Sequence, residues 1–263
     1  MRRALVLAGL IVASPAWADD QDRDYCPARP GLGTPACTIS PGRVSVETSL
    51  ADWSLDKQPG ERTDTVLIGD TQLRIGLSDS VEAQIGWTPA GFVRDRTGST
   101  IDRVTRTGDV TLGLKANFAH PDGKGFSIAA QPFVTLPVGR TPIGAGDWGA
   151  GLVVPITYDL SDKVNLAVTP EVDVAVDQDG HGRHFAASTV VGVGFALNDR
   201  LTLTVEGQAI RDDDPSGKST QGLASASLAY MASKDLQLDV GGVAGLTKDA
   251  PDVELYAGVS RRF

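Results

Sequence analysis

Two long alternating segments joined by a three-residue turn constrain this chain more than any other feature. From Trp148 the even positions run Trp148, Ala150, Leu152, Val154, Ile156, Tyr158, Leu160, and the odd ones Gly149, Gly151, Val153, Pro155, Thr157, Asp159. After Ser161-Asp162-Lys163 the pattern resumes as Val164, Leu166, Val168, Pro170, Val172, Val174, Val176 against Asn165, Ala167, Thr169, Glu171, Asp173, Ala175. A period of two sends each set to its own face of a sheet, so residues 148–176 read as a hairpin with an unbroken apolar face and a polar one. Its strands are about twice the usual length in soluble domains. Pro155 and Pro170 each withhold a ladder donor, a local cost that leaves the alternation intact.

The same period recurs along the chain and predicts twelve strands: 44–50, 65–77, 81–87, 108–118, 126–136, 148–160, 164–176, 185–195, 201–209, 222–230, 236–244 and 253–263. Residues 51–64, with Trp53, Pro59 and Gly60, and the charged stretch 93–106 are expected to be loops. No helical periodicity competes, and the class is all-β.

The N-terminus sets the compartment. Met1-Arg2-Arg3, an apolar run from Ala4 to Ala13 and small residues at Ala16 and Ala18 form a secretory signal peptide over residues 1–18, cleaved after Ala18. Removing it leaves 22 basic and 33 acidic side chains, a net charge of −11. Such a balance disfavours nucleic acid, whose partners need a basic patch. Residues 19–42 are expected as a periplasmic segment ahead of a barrel spanning 43–263. Within it Cys26 and Cys37 bracket the Pro/Gly-rich loop CPARPGLGTPAC. In an oxidising compartment these two cysteines form a disulfide, whereas a metal pair lacks further ligands and a redox pair lacks the two-residue spacing.

An exported twelve-strand sheet is either a soluble barrel with an apolar core or a transmembrane barrel with the pattern inverted. Three observations favour the second. Apart from Arg261, close to the chain end where it can reach headgroups, the charges fall on the polar face. They are Glu47, Asp70, Arg74, Glu82, Asp109, Lys115, Asp159, Glu171, Asp173, Glu206, Asp239, Glu254 and Arg262, ten acidic and three basic. Short turns near 78–80, 119–124, 161–163, 197–200 and 232–235 interleave with generally longer loops, as in outer-membrane barrels. Finally, Phe118, Phe126, Tyr158, Phe195, Tyr230 and Phe263 lie at the short-turn end of the apolar face, and Trp87, Trp148 and Phe185 at the other, which makes two interfacial belts. An aromatic content of 6% is low for such belts.

The terminal Phe263, preceded by Tyr256 and Gly258, resembles the C-terminal signal through which the barrel-assembly machinery recognises outer-membrane barrels, although Arg261 replaces an apolar residue of that signal. Four stretches together resemble the outer-membrane family named for the meta pathway of phenol degradation: CPARPGLGTPACTISPGRVSVET, GDVTLGLK at 108–115, LPVGR at 136–140 and PEVDVAVDQDGHGRHFAAS at 170–188. The resemblance implies a transport-type barrel for aromatic or other apolar small molecules, with no catalytic motif.

The twelve charged positions from Glu47 to Glu254 are therefore expected to line a polar, cation-favouring lumen. Inward glycines such as Gly86, Gly113, Gly192 and Gly194 leave it space. Val66, Ile68, Phe133, Val153, Val190 and Leu223 also face inward and offer an apolar track for a solute. His181 and His184 with Asp177 and Asp179, and separately Asp212 to Asp214, carry ligand chemistry, but flexible Gly-flanked backbone makes solvated loops the expectation, with no metal or other cofactor. With only three histidines and no Gly-x-Ser-x-Gly elbow, no enzyme activity is expected. The sequence thus predicts a channel or transporter in the outer membrane of a Gram-negative bacterium, in contact with lipid and lipopolysaccharide. The alternative is a non-conducting structural or adhesion barrel that binds a partner through its outer loops.

Overall fold

The computed structural model describes residues 23–263; the signal peptide expected over residues 1–18 lies outside them. Among the described residues sixteen strands form, and twelve staves close into an antiparallel barrel. In order around the wall these are β1 (Val44–Gln58), β3 (Thr71–Gly76), β4 (Val81–Trp87), β7 (Val110–Ala119), β8 (Phe126–Leu136), the stave made of β9 (Gly149–Val153) and β10 (Ile156–Ser161), β11 (Val164–Val176), β12 (Arg183–Asn198), β13 (Leu201–Asp212), β14 (Ser219–Ser233), β15 (Leu236–Gly245) and β16 (Val253–Arg262). β16 pairs back onto β1 and removes both sheet edges.

The barrel is inside out. Its largest fully buried side chains include Arg74, Lys115, Glu47 and Glu82. All nine belt aromatics are exposed on the outer wall, from Phe118 to Phe263 at one end and Trp87, Trp148 and Phe185 at the other. Hydrocarbon outside and a polar interior account for both observations. Arg261 stands over the Phe263 ring, 4.8 Å from its centroid, at the rim.

Three expectations about elements are corrected. The stave at 148–160 is cut at Pro155, where the missing N–H separates β9 from β10; the Pro155 carbonyl still accepts from Ala129 N (3.0 Å). The strand expected at 65–77 is two strands. β2 (Glu61–Ile68) ends at Gly69, whose positive φ turns the chain by Asp70 into β3. The expected loops at 51–64 and 93–106 are largely strand: β1 runs on to Gln58 and turns at Pro59-Gly60 into β2, and β5 (Ala90–Thr97) and β6 (Thr100–Arg106) form a second hairpin paired to β2. This β2–β5–β6 extension leaves the cylinder at its long-loop end. Its faces carry Arg62–Asp64 (2.6 Å) and Arg94–Asp64 (3.4 Å) ion pairs, and water on both sides erases the apolar face that marks the staves.

Residues 23–42 are not a separate periplasmic extension. They run inside the wall at its short-turn end, with Cys26 and Cys37 joined by a disulfide.

Candidate functional site

Backbone groups of residues 23–42 would be orphaned inside a polar cylinder unless the wall supplied partners, and the wall's charged side chains do so. Glu47 on β1 accepts from the amides of Ala28 (2.7 Å) and Arg29 (3.1 Å). Glu82 on β4 accepts from Ile39 N (2.7 Å) and Glu206 on β13 from Leu32 N (2.8 Å) and Gly33 N (3.0 Å). Lys115 on β7 donates to Pro35 O (3.0 Å) and Asn117 to Ala36 O (2.8 Å). Arg74 on β3 sits among them, donating to Glu47 (2.9 Å), Glu82 (2.8 Å) and the carbonyl of Cys26 (2.9 Å). Each of these is charge-assisted or joins a buried amide to its partner, so the inner segment is fastened as a plug.

The twelve expected lumen residues sort into three groups. Glu47, Arg74, Glu82, Lys115, Glu206 and Asp239 hold the plug, Asp239 through the guanidinium of Arg29 (2.9 Å). Asp70, Glu171 and Glu254 line a cavity of about 480 Å³ above it, with Asp173 two residues from Glu171 on the same face. Asp109 and Asp159 fix loops at opposite ends: Asp109 accepts from Gly139 N (2.8 Å) and Ala145 N (2.7 Å), and Asp159 from Gly125 N (2.7 Å).

Sequence reasoning missed two members of the cavity. Asp52 lines it because a bulge between Ser49 and Ala51 shifts the face of β1, a step that strict alternation cannot follow. Arg29 is the basic side chain in that lining, and it is paired with Asp239. The apolar track is not assembled. Phe133 and Val153 meet in a side recess, Val190 packs beside Gly33, and Val66 and Ile68 belong to β2, paired to β5 beyond the staves.

The fastening is one-sided. Among the described residues of β10, β11 and β12, Thr169 Oγ1 to Thr34 O (3.3 Å) is the side-chain hydrogen bond that reaches the plug, and Glu206 on β13 marks the edge of the fastened side. A cavity of about 210 Å³ abuts the acidic one at Ala28, Arg29, Thr34 and Thr169. It abuts a third, of about 360 Å³, at Thr157, Asn165, Ala167, Thr202 and Thr204. That third space ends among Asp122, Asp162 and Lys163 in the short turns, with Gly192 and Gly194 in its wall.

The model of the family described as "Putative MetA-pathway of phenol degradation" matches residues 28–263. No curated protein matches the sequence. Among solved structures, an outer membrane channel from Pseudomonas putida F1 superposes with a TM-score of 0.68 at 14% identity, over 93% of this chain and 99% of that one. The transport unit of the autotransporter AIDA-I from Escherichia coli gives 0.54 at 9% identity over 83% and 89%, and the KdgM porin in complex with disordered oligogalacturonate gives 0.51 at 10% over 84% and 99%. The shared property at these identities is the outer-membrane barrel fold.

Proposed function

The chain belongs to the phenol-degradation MetA-pathway family, and from that premise we propose that it is a passive channel for small molecules in the outer membrane of a Gram-negative bacterium. The observation that carries the reading is the succession of three abutting cavities along the unfastened side of the plug, from the acidic space to the short turns. A wholly packed interior would leave no such succession.

The finer reading concerns the solute. Between Arg29 and Glu206 at its upper end and Asp122, Asp159, Asp162 and Lys163 at the short turns, the wall of the lower passage carries Thr157, Asn165, Ala167, Gly194, Thr202 and Thr204, short and uncharged, which offer hydroxyl and amide partners. Asp52, Asp70, Glu171 and Glu254 make the space above it acidic. Together they favour small cations and small neutral solutes with a polar handle, such as hydroxylated aromatics, over anions. The family's description supports the aromatic class.

The test is conductance in planar bilayers together with uptake into liposomes of phenol-like solutes beside aromatic acids and small sugars. Discrete cation-preferring channels and faster uptake of the neutral aromatics are expected. No current and no uptake would remove the channel reading and leave a barrel that acts through its outer loops.

A further inference from the structure

Two outer loops meet over the start of β12. His184, the second residue of that strand, has a side chain only 6% exposed, and three carboxylates from β11, β13 and their loops surround its ring. Asp177 Oδ1 lies 2.9 Å and Asp214 Oδ2 3.5 Å from Nδ1. Asp212 Oδ1 lies 2.9 Å from Nε2 on the other side. One donor atom each from Asp177, His184 and Asp214 fall within 4.8 Å of one another.

A neutral imidazole carries a single N–H. With a carboxylate oxygen 2.9 Å from each ring nitrogen, one of the two contacts sets lone pair against lone pair, which repels unless the ring takes a second proton or a metal ion takes the place of the first. The mismatch falls at Nε2: Nδ1 shares a hydrogen bond with Asp177 (2.9 Å), whereas buried Nε2 makes none although Asp212 is near enough, so a metal ion that took the place of the proton at Nδ1 would send that proton to Nε2 and satisfy both ring nitrogens. The carboxylates are also held from behind. Asp214 accepts from Gln178 N (2.7 Å), Ser216 N (2.6 Å) and Ser216 Oγ, which joins the loop after β11 to the loop after β13. Asp177 Oδ2 occupies the place where a Cβ on Gly182 would stand. His181 and Asp179 contribute nothing: Asp179 takes the amide of His181 (2.8 Å).

We propose that Asp177, His184 Nδ1 and Asp214 bind a divalent transition-metal ion that ties these two outer loops together. Bonds of about 2.0–2.2 Å to one cation place neighbouring ligand atoms roughly 3 to 3.5 Å apart, close to the 2.9 and 3.5 Å that separate His184 Nδ1 from Asp177 and Asp214. One imidazole nitrogen with two carboxylate oxygens suits Zn²⁺ completed by water. Metal at Nδ1 leaves the proton on Nε2, facing Asp212, the carboxylate arrangement that orients metal-bound histidines.

Zn²⁺ titration by calorimetry and Co²⁺ titration by visible absorption, on the full-length protein in detergent at mildly alkaline pH, test this. One equivalent of Zn²⁺ should bind, Co²⁺ should develop ligand-field bands, and Zn²⁺ should protect residues 177–182 from protease. Affinity should fall at least roughly tenfold in His184→Ala and in the isosteric Asp177→Asn, and stay unchanged in His181→Ala. Heat-modifiable migration on gels reports that each variant is folded, and Asp177→Asn carries the test if His184→Ala does not fold. Failure of both ions to bind, binding of Ca²⁺ or Mg²⁺ alone, or affinity insensitive to both substitutions would overturn the site. A doubly protonated His184 by nitrogen NMR, unaltered by Zn²⁺, would replace it with a proton-held clamp.

Discussion

Arg74 Nε lies 2.8 Å from Glu82 Oε1 with both side chains fully withdrawn from solvent, and the same guanidinium reaches Glu47 and the Cys26 carbonyl. A wall residue on β3 therefore neutralises two carboxylates and grips the plug at once. Removing the cation leaves both acids buried without it, a loss of about 3–5 kcal/mol. Arg74→Met should lower stability by that amount in urea unfolding from lipid vesicles, and should expose residues 23–42 to protease.

The disulfide acts on the plug rather than on the wall, since Cys26 and Cys37 both precede β1. Closing its loop restricts the unfolded segment by about 2–3 kcal/mol. Reduction should leave heat-modifiable migration of the barrel unchanged, while limited proteolysis now cuts between residues 23 and 42 and single-channel current grows noisier.

Gly76 on β3 has no room for a side chain, because the Ser40 and Ile39 carbonyls occupy the position of its Cβ. Gly76→Val should push the end of the plug off Glu82, and conductance measured in planar bilayers should rise above that of the unaltered protein.

Above the plug the lining acids set the sign of the field. Neutralising Glu171, Asp173 and Glu254 together as Gln, Asn and Gln should move the reversal potential in a salt gradient toward the anion limit. An unchanged potential would place ion selection elsewhere.

Val191 lies between the two aromatic belts on the outer face of β12 and is paired with Val168. Val191→Arg should cost about 2–4 kcal/mol in vesicle unfolding. Ala167→Gln, on the inner face of the neighbouring strand, should leave stability within about 1 kcal/mol and instead reduce current.

What the sequence disclosed follows where lipid lay on one side and water on the other. β11 and β12 alternate over their full lengths because one face of each meets hydrocarbon and selects apolar side chains, and their registers match the pattern residue by residue, Val168 with Val191 and Val172 with Ala187. β5, β6 and the first half of β2 escaped notice because no lipid face imprints a period on them, only cross-strand charges such as Arg94 and Asp64. Asp52 was hidden by one extra residue in β1. The plug was opaque for another reason: its contacts run largely through main-chain amides and carbonyls, at Ala28, Leu32, Pro35, Ala36 and Ile39, which any side-chain pattern leaves unrecorded. The polar-face charges were legible as a set, but their division between gripping the plug and lining the space above it depends on where residues 23–42 lie.

Because the grip is lopsided, the cylinder has a bolted half and a sliding half. On the bolted side a change at Glu47, Arg74, Glu82 or Lys115 is felt by the plug and by every neighbour that shares its charge. On the sliding side, Thr157, Asn165, Thr202 and Thr204 can be exchanged one at a time without loosening the bolt. Re-tailoring such a barrel to a new cargo is therefore a matter of a few hydroxyls and amides along one arc of the wall.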